Sequence, residues 1–464
     1  MTESAVNPAI FKAYDIRGLY GDELDAGTAM AIGRAFARVI AALEDKPTAE
    51  LRLGLGRDMR LSAPELARAY RQGMTSEGAD VLDAGQVGTE MLYYLVGSRD
   101  LDGGLMCTAS HNPVAYTGAK LVGRGALALS GDAGIGDVRD RIAAGLGEPP
   151  GGGSVEEVSV AEDFQHAALQ FIDPSAIKPL RIVVDGGNGM AGPMVGPLLE
   201  QLGLDLETAY WTPDGEFPDH APNPLLPENR EFIMGEVVRR EADLGIAWDG
   251  DADRCFFIDD RGAFVDGDFL TALLTESMIT KYRSPPNPPT PTVLYDVRAS
   301  RAVADTARAA GGSALVNRVG HAFFKSRMRT EHAVFGGEVS GHYYFRDFYC
   351  ADSGTLPALL ILELLSRRDA SMSELLKPYR DKYFISGEIN SEVADPAARL
   401  EELAERYADG RQERLDGVSV DYDDWHFNAR SSNTEPLLRL CLESLRSPEH
   451  MVERRDELLS VIRA

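Results

Sequence analysis

Cysteine is scarce in this chain: four residues among 464, at Cys107, Cys255, Cys350 and Cys441. They are scattered, with no disulfide or thiolate-metal spacing, and read as reduced thiols of a cytoplasmic protein. Long apolar runs are lacking too. No run approaches the roughly 20 residues that span a bilayer, and residues 356–365, among the longest, contain Glu363. The N-terminus has no basic start followed by an apolar stretch, so no targeting segment is expected. Cations are in deficit, with 47 Lys and Arg against 73 Asp and Glu and a formal charge of −26. Such a field repels polyanions, so neither nucleic acid nor an anionic membrane is an expected partner. It would also repel a phosphorylated metabolite, which could bind only where cations are gathered locally.

What is present is ordinary globular composition, 44% hydrophobic and 26% charged, which excludes disorder, collagen and coiled coil. At about 150 residues per domain the length suggests roughly three domains, with four allowed. Three segments repeat one pattern of strand, small-residue turn, helix and second strand. The opening strands are 51–57, 180–186 and 292–298; the helices are 63–77, 193–202 and 299–310; the second strands are 79–83, 204–208 and 313–317. A third strand in each ends in an unusual loop. The loops are Thr108-Ala-Ser-His-Asn-Pro113, Asp249-Gly-Asp-Ala-Asp-Arg254 and Gly336-Gly-Glu-Val-Ser-Gly-His342. Alternating strands and helices predict parallel or mixed sheets covered on both faces, with ligands beyond the carboxyl ends of strands. Residues 145–153 look like a linker or exposed turn, and the proline-rich 283–291 like a surface loop. After Lys377 the pattern changes: helices near 396–407 and 449–462 flank a strand-rich stretch, 418–442, the mark of a smaller α+β domain.

Asp249, Asp251 and Asp253 alternate after an apolar strand, on a turn that can converge them on one hard cation, Mg²⁺ or Ca²⁺ rather than zinc. An EF-hand is rejected, because Arg254 and Asp260 stand where it needs Gly and usually Glu. Ser110 beside His111 invites a hydrolase reading. Adjacent strand residues point to opposite faces, however, which leaves His111 poorly placed as a base, and there is no Gly-x-Ser-x-Gly elbow. A serine near a metal site fits phosphoryl transfer better. Arg430-Ser-Ser-Asn-Thr-Glu-Pro436 combines a guanidinium fork with hydroxyls and an amide, the parts of an anion cradle, though a polar turn is a competing reading. The loop 336–342 offers a carboxylate, a hydroxyl and an imidazole on flexible backbone, which suits a sugar or a surface turn equally. Gly187-Asn-Gly-Met-Ala-Gly192, with Glu207 beyond it, matches the dinucleotide fingerprint. That reading leaves the other loops unexplained, and the glycines are expected to close a strand-to-helix turn. No Walker A pattern occurs.

With these loops the chain resembles the α-D-phosphohexomutases, most closely the bacterial phosphomannomutase/phosphoglucomutase branch. Lys12-Ala-Tyr-Asp-Ile-Arg-Gly18 and Gly56-Arg-Asp-Met-Arg-Leu-Ser62 belong to the same pattern, so the resemblance runs through the whole chain in order. It implies four domains around a central cleft: three similar α/β mixed-sheet domains and a C-terminal α+β domain of the TATA-box-binding-protein-like type. Boundaries are expected at 1–155 (serine loop), 156–262 (metal loop), 263–375 (sugar loop) and 376–464 (phosphate loop). The resemblance implies that Ser110 is a phosphoserine, and that Asp249, Asp251 and Asp253 hold Mg²⁺ with it. It implies that Glu338, Ser340 and His342 read sugar hydroxyls, and that Arg430, Ser432, Asn433 and Thr434 bind the non-reacting phosphate. Tyr14, Arg17, Lys120, Arg254, Arg298 and His321 match cleft positions. His111 stands beside the phosphoserine, and Lys120 and His342 are the implied proton-transfer groups.

The implied reaction interconverts hexose 1-phosphate and hexose 6-phosphate, of mannose or glucose, through a hexose 1,6-bisphosphate, with glucose or mannose 1,6-bisphosphate as activator. The implied enzyme is a cytoplasmic monomer acting on hexose phosphates. Two departures bear on specificity. Pro113-Val-Ala-Tyr-Thr-Gly118 lacks the second proline and the asparagine of many relatives, and Arg298 stands where lysine is frequent. Phosphoglucosamine mutase is the near rival, but its matching loops typically read Glu-Gln-Ser-Gly-His and Arg-Pro-Ser-Gly-Thr-Glu-Pro. Phosphopentomutase is less favoured. A non-catalytic sugar-phosphate-binding relative is disfavoured by the intact Ser110 and aspartates, and a sugar-dephosphorylating hydrolase is the third option. Much of the acid lies outside the motifs, as in 22–25, 156–163, 401–405 and 421–424. Arg17, Lys120, Arg254, Arg298 and Arg430 are expected to make a positive site within a negative shell.

Overall fold

Strand and helix boundaries follow the hydrophobic pattern closely. The computed structural model describes all residues except 1–5, 132–133, 284, 286–289 and 432–436. Contacts divide it into two units, residues 1–265 with 340–371, and residues 266–339 with 372–464.

In the first unit a six-stranded sheet has the order Ile16–Leu19, Tyr116–Gly123, Gly103–Cys107, Arg52–Arg57, Asp80–Gln86, Val155–Glu157. Arg52–Arg57 runs parallel to both neighbours, Leu53 standing opposite Gly103 on one side and Val81 on the other. Strands buried on both faces must be apolar throughout, and all five residues of Gly103–Cys107 are buried. Helices Ala26–Glu44 and Ala63–Ser76 cover one face, packing Ile32, Phe36 and Ile40 with Leu66, Tyr70 and Met74. Asp25 caps the first of these helices by accepting the Thr28 N–H at 2.8 Å.

That helix tests the expectation that no unbroken apolar run spans a bilayer, which stands because Arg34 and Arg38 interrupt it. Its 19 residues are long and apolar enough, by length and composition, to cross a membrane. Its arginines explain how it sits: Arg34 and Arg38 both bind Glu77, at 2.7 and 2.8 Å. Periodicity hides such a helix, because alanines and glycines raise its mean hydropathy without forming an unbroken run of large apolar residues.

A second sheet in this unit has the order Cys255–Ile258, Leu244–Trp248, Arg181–Asp185, Asp205–Ala209, parallel except for its first pair. A short antiparallel pair, Tyr343–Phe345 with Ala351–Asp352, leads into helix Thr355–Arg368, which is buried on most of its surface. Glu363 lies there beside Arg367, at 2.9 Å.

In the second unit, Thr292–Asp296 runs parallel between Ser313–Asn317 and Phe335–Gly337, the third copy of the repeated pattern. Helix Gly267–Tyr282 buries residues nearly all round. The C-terminal part is antiparallel, in the order Phe384–Ile385, Leu437–Ser444, Trp425–Ser431, Val418–Asp421, Arg411–Glu413. Its core joins Val418, Val420, Phe427 and Leu440 to Leu403 and Leu458 of helices Pro396–Arg406 and Pro448–Ile462. Pro396 occupies the first turn, where its missing N–H costs nothing, and Asp395 caps that helix by accepting the Ala398 N–H at 3.0 Å.

Candidate active site

The parallel strand Gly103–Cys107 stops at Thr108 because the chain must turn out of the sheet, and the turn is sharp. Ser110 has φ +48, in the left-handed region. A non-glycine residue is costly there and persists only where its surroundings hold it. Those surroundings are visible. The Thr108 hydroxyl accepts the Ser110 N–H at 2.8 Å. The buried Arg60 guanidinium donates to four carbonyl oxygens of the loop: Ser110 at 2.8, Asn112 at 2.6, Pro113 at 3.0 and Tyr116 at 3.1 Å. Arg17 donates to the Thr108 carbonyl at 2.6 Å and pairs with Asp15 at 2.9 Å. Tyr14, half-buried, immediately precedes them.

The Ser110 hydroxyl donates to Asp249 Oδ2 at 2.7 Å. His111 Nδ1 lies 3.3 Å from the same Ser110 oxygen. The expectation that His111 points away from Ser110 is therefore overturned, because Ser110 sits in a left-handed turn and not in a strand. Burial, reinforced by the charges of Arg254 and Arg17, pushes the His111 imidazole well below its usual pKa, so it is neutral.

The apolar strand Leu244–Trp248 delivers the acidic turn beneath this hydroxyl. Asp249, Asp251 and Asp253 are at most 1% exposed, and one oxygen of each lies within 4.8 Å of the others. Arg254 Nε donates to Asp249 Oδ2 at 2.9 Å. Lys120, reaching in from strand Tyr116–Gly123, donates to Asp251 Oδ2 at 2.7 Å and also to Asp253. Thr89 and Thr108 hydroxyls add to Asp251. Burial opposes charge on Lys120, but the attraction of Asp251, Asp253 and Asp249 outweighs it and holds the ammonium above its ordinary pKa. Burial also works against Asp251, yet Lys120 keeps its carboxyl below the usual range. Asp253 is pushed well above that range by burial and by the charge of Asp251.

Two oxygens, Asp251 Oδ1 and Asp253 Oδ1, are buried with no hydrogen-bond partner among the described residues. Orphaned carboxylate oxygens at this spacing, with only oxygen donors facing one another, fit a hard divalent cation. His342 adjoins the same group, its Nε2 being 3.9 Å from both Asp253 and Asp352, with Ser340 Oγ 3.3 Å from its Nδ1. Ser110, His111, Arg17, Lys120, Arg254, the three aspartates, Ser340 and His342 thus belong to one unit.

The glycines of 187–192 close the turn from strand Arg181–Asp185 to helix Ala191–Gln201, as expected, and that turn braces the acidic loop. The Met190 N–H donates to the Gly250 carbonyl at 2.9 Å. At Gly192 a Cβ would stand 1.9 Å from the Trp211 carbonyl oxygen, so glycine is required for close packing. Glu207, the presumed ribose acceptor of that fingerprint, is bound to Arg240 at 2.5 Å.

In the second unit, Arg298 lies on Asp296 through Nε at 3.0 Å and Nη2 at 2.9 Å, and 3.8 Å from Glu338. Glu338 Oε1 accepts the Gly320 N–H at 2.8 Å, just before His321 opens its helix. Glu388 gathers three guanidinium groups: Arg430 at 2.8, Arg439 at 3.1 and Arg298 at 3.3 Å. Burial would raise the Glu388 pKa, but Arg298, Arg430 and Arg439 bring it down to about 2. Ser432, Asn433 and Thr434 lie outside the described residues. Arg60, Thr89, Thr108, Asp296, Asp352 and Glu388 were not foreseen as site residues. Arg60 and Thr108 had a signal, their places in the Gly56–Ser62 motif and at the start of the serine loop, and the others carry no local one.

A serine hydroxyl on a buried carboxylate cluster, set on repeated α/β units with a C-terminal α+β part, defines a class of multidomain phosphoryl-transfer architecture. Models of the phosphoglucomutase/phosphomannomutase domains match in order: alpha/beta/alpha domain I over residues 8–144, domain II over 162–262, domain III over 266–383 and the C-terminal domain over 388–461. The chain belongs to the phosphoglucomutase/phosphomannomutase family. It is 41% identical to a phosphomannomutase of Salmonella montevideo, covering 98% of this chain and 99% of that one. A phosphohexose mutase of Xanthomonas campestris pv. campestris is also 41% identical, with 98% and 99% covered. The crystal structure of a phosphoglucomutase/phosphomannomutase family protein from Burkholderia thailandensis superposes with a TM-score of 0.88 at 33% identity, covering 98% and 97%.

Proposed function

We propose that this protein is a phosphohexomutase, an isomerase-class phosphotransferase that interconverts hexose 1-phosphate and hexose 6-phosphate of mannose, glucose or both. The observation that carries this reading is the Ser110 hydroxyl seated 2.7 Å from Asp249, on a buried three-aspartate cluster. Phosphorylated Ser110 donates its group to the free hydroxyl of the substrate. The serine O–P bond breaks, a new O–P bond forms, and the hydroxyl proton passes to His342, while Lys120, held as an ammonium by the aspartates, is the proton donor of the pair. The hexose 1,6-bisphosphate then presents its other phosphate, which returns to Ser110. Asp249, Asp251 and Asp253 would hold Mg²⁺ with a phosphoserine oxygen. The ion supplies Lewis-acid stabilisation of phosphoryl charge.

The chain's own groups do the rest. Arg254 and Lys120 bring positive charge to a cluster that repels phosphate. Arg17 and Arg60 fix the serine loop, and His111, neutral beside Ser110, accepts hydrogen bonds. Arg430, gathered with Arg298 and Arg439 by Glu388, takes the non-reacting phosphate together with Ser432, Asn433 and Thr434. Glu338, Ser340 and His342 read sugar hydroxyls, and Tyr14 and His321 are further substrate-binding residues. Domains at 1–155, 156–262, 263–375 and 376–464, a monomeric cytoplasmic enzyme, and a hexose 1,6-bisphosphate activator complete the reading.

The test is direct. Purified protein with Mg²⁺ and a trace of glucose 1,6-bisphosphate is given mannose, glucose or glucosamine 1-phosphate, and 6-phosphates are quantified. Turnover of the mannose or glucose ester is expected. Turnover of glucosamine phosphate alone reassigns the substrate, and no turnover of any ester overturns the reading.

A further inference from the structure

A cavity of about 560 Å³ opens beside helix Ala63–Ser76 in the first unit, lined by Arg57, Arg68 and Arg71 together with Asp83 and Glu157. No residue of the serine loop or the acidic turn lines it. It lies at the carboxyl ends of the parallel strands Arg52–Arg57, Asp80–Gln86 and Val155–Glu157, the place where α/β sheets present their ligands.

Three features of the chain make it more than a gap. The first is helical spacing. Pro64, Ala67, Arg68 and Arg71 fall at i, i+3, i+4 and i+7, so one stripe of the helix faces the cavity. Ala67 on that stripe leaves space where a larger residue would fill it. The second is a register shift between Leu55 and Arg57 against the neighbouring strand. Bulges re-aim side chains and collect beside binding sites. Here the extra residues on the partner strand include Gly85, at φ +71, which also lines the cavity.

The third feature is charge. Arg71 Nη1 pairs with Asp83 at 2.9 Å, but the Arg57 and Arg68 guanidinium groups have no ion-pair or hydrogen-bond partner among the described residues. In a chain with 73 acids and 47 Lys and Arg, two unpaired arginines turned to one cavity are against expectation. Arg57 is also the member of the 56–62 motif with no part in the catalytic loop. Asp58 and Arg60 beside it support that loop, Arg60 through four carbonyls.

We propose that this cavity is a second, non-catalytic site for a phosphorylated, hydroxyl-bearing metabolite, its phosphate held by Arg57, Arg68 and Arg71 and its hydroxyls by Asp83 and Glu157. Guanidinium forks match phosphate oxygens, and carboxylates accept from hydroxyls. The volume exceeds what a phosphate group fills and falls within the range of about 300–1,000 Å³ of small-molecule sites, so the ligand carries an organic body. Sugar phosphates and nucleotides share this chemistry.

Calorimetric titration distinguishes them, with glucose 6-phosphate and ADP as separate probes against wild-type protein and the Arg68→Ala/Arg71→Ala double variant. Both substitutions lie outside the catalytic machinery, so mutase turnover should be retained. Wild-type protein should show either a second glucose 6-phosphate site or an ADP site, and the double variant should lose it or bind roughly tenfold more weakly. The probe that responds identifies the ligand class. If neither probe reveals a site sensitive to the substitution, the proposal is overturned. Arg68→Glu alone, at an exposed position, repeats the test should the double variant fail to fold.

Discussion

Ser110 carries a left-handed backbone, φ +48, and an oxygen 2.7 Å from Asp249. Strain at a hydroxyl so placed is the kind that a surrounding network must hold for function. Ser110→Ala is expected to fold, to lose turnover, and to lack the single phosphate that intact-mass measurement should show on the wild type. A wild type without that phosphate, even after incubation with glucose 1,6-bisphosphate, would remove the phosphoserine. Asp251 is bound by Lys120, Thr89 and Thr108, yet keeps one oxygen without a hydrogen-bond partner among the described residues. Asp251→Asn should lower kcat roughly 10²-fold or more while leaving the melting temperature nearly unchanged. Unchanged turnover with retained Mg²⁺ dependence would contradict the metal assignment. On the proposed reading Arg430 binds the phosphate that does not react, so Arg430→Ala should raise KM about tenfold with a smaller change in kcat. A variant defective only in kcat would move Arg430 into the chemistry.

At the scale of the element, the serine loop is fastened more than it is folded. Arg60 stands 50 residues before Ser110 in the chain, yet it spends its guanidinium donors on four carbonyls of one turn. Lysine cannot reproduce a planar fork aimed at several acceptors. Arg60→Lys should therefore leave buried carbonyls unsatisfied, at about 1–3 kcal/mol, and lower kcat as well as stability. Chemical unfolding and steady-state rates measured together check this, and a loss of stability with kcat intact would make Arg60 structural only. The loops themselves were legible, because Ser-His-Asn-Pro and Asp-x-Asp-x-Asp are contiguous and break an apolar pattern. Their supports were not. Thr89 reaches Asp251 across 162 positions, and Glu388 reaches Arg298 across 90. No local spacing encodes a contact of that range.

For the whole molecule, buried carboxylates set the pH response. Burial pushes Glu90 up to about 8, despite hydroxyl hydrogen bonds from Ser353 and Thr355. Asp268, buried near Asp266, is likewise raised to about 8, and burial brings Glu443 to about 7. The folded protein keeps these protons while the unfolded chain releases them near the ordinary carboxylate values. The contribution of each group is therefore complete below the unfolded pKa and lost as pH rises towards the folded one. Stability should fall between about pH 5 and 8. Glu90→Gln, which keeps the shape without the charge, should raise the melting temperature at pH 8 more than at pH 5. An equal shift at both pH values would show that Glu90 is not protonated in the folded state.

Composition, periodicity and contiguous motifs determined the class of fold, the three repeated strand–helix–strand units, the α+β character of the C-terminal part, and the identities of the serine, aspartate and arginine loops. These are short-range properties: alternation of apolar residues, turn chemistry, and side chains within a few positions of one another. Only the tertiary structure decided that His111 lies against Ser110, that helix Ala26–Glu44 packs with its arginines on Glu77, and that Lys120 bridges two aspartates. It alone gathered three arginines on Glu388. Each of these depends on a backbone turn or on a partner brought close by folding. Charge and hydrogen bonding act through space, and a linear chain does not record which of its distant residues will share it.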